Sequence, residues 1–196
     1  MSARDEHRYV GPVGAEREYG VMARLKKTEQ LPPQIRWLIR RDMDEVMEIE
    51  NRSFQFPWSH EDFLVCLRQR NCIGTVYEST NGLIHGFMIY ELHKNTLRIL
   101  NFAVAPEVRR TGVGRAMAKR LIDKLSQQRR HWIVLETRES NLASQLFWSS
   151  CGFRAERIMD GFYDNGEAAI HFAYCLPGLI PEHDGSNRIS QYFEEA

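Results

Sequence analysis

Residues 100–115 read LNFAVAPEVRRTGVGR, and the rest of the chain is best read outward from them. The first half is apolar and β-prone as far as Val104, and Pro106 stops the strand because it has no N–H to give a ladder. Arg109, Arg110, Thr111, Gly112, Val113 and Gly114 follow and run straight into a helix to about residue 128. Its apolar positions Met117, Leu121 and Leu125 recur at i, i+4. Gly112 and Gly114 permit positive φ and let backbone approach a ligand closely. Successive N–H groups at a helix N-terminus attract an anion, and the helix dipole adds to the attraction. Arg109, Arg110 and Arg115 add charge suited to a phosphate-bearing ligand. No Gly-Lys-Ser/Thr follows, so this is not a Walker loop, and the spacing is not G-x-G-x-x-G. By itself the segment is also compatible with a plain strand-to-helix connection.

Around this loop the elements alternate. Residues 35–40 read as a short strand. Asp42 with Glu45 reads as a capping box opening a helix to about Arg52. Residues 54–58 form a loop broken by Pro57, and Ser59 caps a second helix. Strands over 72–78 and 83–92 join across Asn81-Gly82, a tight-hairpin signal, and a further turn leads into 97–104. Residues 132–137 form another strand. Asn141 caps a helix carrying Leu142, Leu146 and Phe147, Gly152 ends it, and strands over 153–159 and 168–175 close the chain. Hairpin-linked strands followed by strand–helix–strand–helix–strands predict an α/β fold with a mixed sheet.

Composition narrows the class. The chain has 196 residues, 43% apolar and 27% charged, which suits one globular domain plus tails. Residues 1–33 read as a charged tail, 34–176 as the domain, and 177–196 as a second tail. Lys+Arg and Asp+Glu both number 26, so net charge gives no argument for nucleic acid or an anionic membrane as partner. No transmembrane run and no signal peptide is expected. Cys66, Cys72, Cys151 and Cys175 form no C-x-x-C pair, which reads as reduced thiols in the cytoplasm. The histidines show no ligand spacing, so no metal site is expected and they read as solvated or satisfied side chains. Glu136 stands out in the run Ile133-Val134-Leu135-Glu136-Thr137, because a carboxylate in a buried strand is costly unless paired or used.

Arg109-x-x-Gly112-x-Gly114 after a strand ending in Val104 resembles the pyrophosphate-binding motif of GNAT-fold acetyltransferases, and the resemblance covers about residues 35–176. Within that family the chain is similar to the RimI type, the ribosomal-protein N-terminal alanine acetyltransferases. The residues that carry this are Phe56-Pro57-Trp58-Ser59, Asn101-Phe102-Ala103-Val104 with Pro106, Leu135-Glu136-Thr137-Arg138 with Ser140-Asn141, and Cys151-Gly152-Phe153.

The resemblance implies a mixed central sheet splayed between two parallel strands, 97–104 and 132–137, and flanked by helices. It implies acetyl-CoA as co-substrate. The pantetheine arm would pair with backbone around Ala103, at Phe102 and Val104, and the pyrophosphate would sit on the N–H groups of residues 110–115. Asn141 is the other implied cofactor contact. Glu136 matches the general base. Trp148 stands where the family has a Tyr acting as general acid, and an indole N–H cannot serve as an acid near neutral pH. Tyr163 matches a family substrate contact, whereas Gly161 and Phe162 depart from the pattern. Glu50, Phe56 and Trp58 fall on the substrate side. The plainer alternatives are a solvated helix carboxylate for Glu50 and loop packing for the two aromatics.

The expected activity is therefore acetyl transfer to a protein or peptide N-terminal amine, with ribosomal proteins among the candidate partners, by direct attack in a ternary complex. An enzyme for a small-molecule amine and a catalytically weak acetyl-CoA sensor stand as alternatives. Neither nucleic acid nor a membrane is an expected partner, and the oligomeric state is open.

Overall fold

The computed structural model describes residues 32–178. The two expected tails therefore lie almost wholly outside the described residues. Within them the chain forms β1 (Gln34–Trp37), α1 (Met43–Ser53), α2 (His60–Leu67), β2 (Cys72–Glu78), β3 (Ile84–Leu92), β4 (Thr96–Val104), α3 (Val113–Ile122), β5 (Trp132–Arg138), α4 (Leu142–Ser150), β6 (Arg154–Met159) and β7 (Ala169–Cys175). One sheet takes the order β1-β2-β3-β4-β5-β7-β6. Every neighbouring pair is antiparallel except β4 and β5, which run parallel.

That one parallel pair is short. It runs from Thr96 opposite Trp132 to Ile99 opposite Leu135 and stops there. Beyond it, residues 101–104 remain paired to β3, and residues 136–138 remain paired to β7. The sheet is thus split down the middle between β4 and β5, as the resemblance implied. Where the split begins, Ile89 faces Asn101 while Tyr90 faces Ile99, so Leu100 is an extra residue in β4. A bulge of this kind bends the strand and resets its alternation. Ile99 consequently packs in the cluster under α3 and α4, while Asn101 and Ala103 turn to the face covered by α1 and α2.

The sheet buries both faces. Met117 and Leu121 of α3 and Trp148 of α4 pack on Leu97, Ile133 and Leu135. Val46 and Ile49 of α1 and Phe63 of α2 pack on Val76, Phe87 and Ile89. No helix among the described residues is long and apolar enough to cross a membrane.

Several local expectations change. Ser59 does cap α2, its Oγ accepting from Asp62 N–H at 3.2 Å. Asp42, by contrast, makes no cap bond to α1. Its carboxylate accepts from both Nη groups of Arg36, at 2.6 and 2.9 Å, and from Ile39 N–H at 2.9 Å. Burial pushes the Asp42 carboxyl up, but Arg36 and that N–H carry it below its ordinary value. Glu45 accepts instead from Ile84 N–H at 2.8 Å, tying α1 to β3. Helix α3 ends at Ile122 rather than near residue 128, because Lys124 and Leu125 N–H bond three residues back and tighten the chain out of the helix. Leu142 and Leu146 do not seat α4. They are exposed, and Trp148 and Phe147 pack inward instead. Although no C-x-x-C spacing joins them, the thiol sulfurs of Cys66 and Cys72 lie 2.8 Å apart between α2 and β2.

Candidate active site

The loop from β4 to α3 forms a cradle of main-chain donors. Arg110 takes φ +67° and Gly112 φ +100°, both in the left-handed region. The first bond of α3 runs from Ala116 N–H to Gly112 O at 2.9 Å. Among the described residues, the N–H groups of Arg110, Thr111, Gly112, Val113, Gly114 and Arg115 have no acceptor. Unsatisfied N–H groups at the positive end of a helix suit an anion such as a pyrophosphate. The two glycines serve different ends. Nothing lies within 4 Å of a Cβ built at Gly112, so glycine there meets the backbone angle. A Cβ at Gly114 would lie 3.2 Å from the Phe147 ring and 3.4 Å from that of Phe102, so glycine there lets α3 pack closely.

The arginines divide as well. Arg109 donates to Val104 O at 3.0 Å and to Ser53 Oγ at 2.9 Å. Arg115 reaches Ser150 O and Oγ, both at 3.3 Å. The expected three-arginine anion site is therefore a backbone cradle with Arg110 beside it, because Arg109 and Arg115 brace the surrounding elements. Asn141 Oδ1 accepts from Ser144 N–H at 3.0 Å and caps α4, which leaves its Nδ2 for a ligand.

On the α1–α2 face of the split lies Glu136. Its Oε2 faces Arg98 Nη2 and Nε at 3.3 and 3.4 Å, and its Oε1 lies 3.0 Å from His171 Nδ1. Neither partner was singled out in the sequence. Each is a polar residue inside an otherwise apolar strand pattern, and that irregularity was the available signal. Two positions on, Arg138 is sandwiched between the rings of Phe56, at 4.7 Å, and Tyr163, at 3.8 Å. Its Nη1 also donates to Glu167 Oε2 at 2.7 Å. Glu167 accepts from Ser140 Oγ as well, and hydrogen bonds from Ser140 and Arg138 hold its carboxyl down at about 2. Arg138 thereby links the α1–α2 loop to the β6–β7 loop across the open face.

Glu50 is not a solvated helix carboxylate. It is only 1% exposed. Its Oε1 accepts from Trp58 N–H at 2.7 Å and Asn101 Nδ2 at 3.1 Å, and its Oε2 has no partner. Burial pushes this carboxyl above its ordinary value, against the two hydrogen bonds. The Trp58 ring packs edge-on against Phe63 at 5.3 Å, so it is a wall residue. Trp148 is 2% exposed and packs on Phe102, Phe147 and Phe153 with centroids 4.9–5.2 Å away. No group of His, Cys, Asp and Glu suited to a metal occurs among the described residues.

A sheet split between parallel strands, a main-chain anion cradle beside the split and a carboxylate on its open face define an acyl-CoA-dependent acetyltransferase. The chain belongs to the acetyltransferase (GNAT) family, whose pattern matches residues 33–153. It is 32% identical over 135 residues to the ribosomal protein bS18-alanine N-acetyltransferase of Escherichia coli (strain K12), covering 67% of this chain and 90% of that one. The crystal structure of the ribosomal-protein-S18-alanine N-acetyltransferase from Escherichia coli superposes with a TM-score of 0.66 at 28% identity, over 79% of this chain and 99% of the other. Arabidopsis thaliana NAA60 in complex with acetyl-CoA shares the fold alone, with a TM-score of 0.65 at 15% identity, over 74% of this chain and 99% of that one. The acyl donor of the family is acetyl-CoA, and the cradle of open N–H groups fits its pyrophosphate.

Proposed function

We propose that this acetyltransferase modifies the α-amine at a protein N-terminus, a ribosomal protein being the first candidate, in the cytoplasm. The observation that carries the choice of amine is the setting of Glu136. Arg98 pairs with it, and Arg138, two residues along the same strand, pairs with Glu167, so both carboxylates of the open face are already matched by a cation. Such a face offers a polyamine no unpaired carboxylate and accepts a single neutral amine. The similarity to bS18-alanine N-acetyltransferases supports the same reading.

Bound acetyl-CoA supplies the acetyl thioester. The N–H groups of residues 110–115 hold the pyrophosphate. Backbone of Phe102 and Val104, unpaired on the β5 side, orients the pantetheine arm and offers N–H to the oxyanion. The amine attacks directly in a ternary complex, with the base function centred on Glu136. The demand on that base is small, because an α-amine titrates near ~7.7–8.0 and a useful fraction is already neutral. Trp148 packs as a wall and moves no proton. The thiol titrates near ~8.5, so its thiolate leaves without a dedicated acid.

The test is release of CoA thiol with peptides that differ in residue 1, run beside spermidine and a peptide whose only amine is a lysine. Turnover with free N-termini above the other two is the expected result. Faster turnover of spermidine would overturn the assignment.

A further inference from the structure

Both oxygens of Glu136 are engaged. Arg98 faces Oε2 and His171 faces Oε1, and the Glu136 and His171 side chains are each 11% exposed. The carboxylate is thus held between a guanidinium and an imidazole, with a donor on each oxygen. An ionised carboxylate can only accept, so the hydrogen of the 3.0 Å contact belongs to His171 Nδ1. The imidazole then carries its lone pair on Nε2, which makes no hydrogen bond among the described residues. Strand order produces this arrangement, since His171 lies directly opposite Glu136 in the β5–β7 register and on the same face.

Resting on the acetyltransferase reading above, we propose that His171 Nε2 is the atom that takes the proton from the attacking amine, with Glu136 as its positioning anion and Arg98 as the cation paired with Glu136. The amine nitrogen forms its bond to the thioester carbonyl carbon, and the carbon–sulfur bond breaks with its electron pair leaving on sulfur. The amine proton passes to Nε2. The imidazolium is stabilised by Glu136 and then gives its proton to the thiolate or to water, so the products are the amide and free CoA. The division of labour is that of a histidine base oriented by a buried carboxylate. The other charged groups beside His171 are Arg138 on β5, Arg157 opposite His171 on β6, and Glu167 bonded to Arg138.

Two measurements test this. Nitrogen-15 NMR of the wild-type imidazoles reads the tautomer of His171 whatever the variants do. Hydrogen on Nδ1 is the expected state, and hydrogen on Nε2 overturns the proposal. His171→Asn keeps a donor near the Nδ1 position and removes Nε2. If His171 only orients Glu136, Asn restores activity. If His171 carries the proton, kcat falls by ~10²–10⁴-fold, the size of a general-base contribution, while peptide KM and acetyl-CoA affinity stay near wild type. The low-pH fall of kcat changes with it. Wild-type rates and pH profile in His171→Asn overturn this inference alone. A wild type that acetylates no N-terminal amine overturns the functional reading and this inference with it.

Discussion

Asn101 donates to Glu50 across 3.1 Å, and this bond fastens the bulged stretch of β4 to helix α1. Glu50 is thereby a structural carboxylate at the wall of the site. Because burial raises its pKa above the ordinary 4.5, protonated Glu50 favours the fold. That contribution is complete below the ordinary value and is lost as pH rises through the raised one. Glu50→Gln is always neutral there and keeps an acceptor for Trp58 and Asn101. Its melting temperature relative to wild type should therefore be higher at pH 8 than at pH 4.5. A constant difference across that range would show that Glu50 is not buried as a charge. Asn101→Ala, which removes one of the two donors, should cost about 1–3 kcal/mol of stability.

The cradle makes a prediction about glycine. At φ +100° with open space around it, Gly112→Val meets backbone strain and no clash. The left-handed penalty is roughly 1–2 kcal/mol, and relaxing it turns the N–H groups away from the phosphate. Acetyl-CoA affinity by calorimetry should fall more for Gly112→Val than for Arg109→Ala, whose side chain serves Val104 O and Ser53. Equal affinity for wild type and Gly112→Val would refute the cradle. Ligand at 100 times Kd should add about 2.7 kcal/mol to wild-type stability.

Trp148 is a packing residue in this structure, with three aromatic neighbours. Trp148→Phe should keep most activity. Trp148→Ala should lose about 3–5 kcal/mol of stability through the cavity it opens. A hundredfold loss of kcat in Trp148→Phe, with acetyl-CoA binding intact, would show that the indole N–H acts in the reaction.

Arg138 joins the α1–α2 and β6–β7 loops across the open face, on the side where the proposed peptide would lie. A cation over an aromatic face is worth about 0.5–2 kcal/mol, more where water is excluded. Phe56→Ala and Tyr163→Ala should each raise the KM for peptide while leaving the KM for acetyl-CoA unchanged. If both KM values moved together, the loops would be serving the whole fold and not the substrate face.

Contiguous patterns were enough for much of this molecule. The strand, the Pro106 stop, the positive-φ glycine and the helix start of residues 100–115 are local chemistry, and so are the Ser59 and Asn141 caps. Each depends on residues within a few positions of one another, whose geometry follows from backbone sterics and short-range hydrogen bonds. Glu136 was legible for the same reason, as a carboxylate in an apolar strand, whereas the split in the sheet came from the family resemblance.

Its partners were not. Arg98 is 38 residues from Glu136, His171 is 35, and Asn101 is 51 from Glu50. Those meetings are decided by the strand order β4-β5-β7 and by one extra residue at Leu100. Both are results of long-range pairing and of burying two faces at once, which no local pattern records. The sequence alone marked where an anion and an acetyl group would lie. Which side chains face Glu136 was decided only when the strands came together, because ion pairing and hydrogen bonding depend on distance in space and not along the chain.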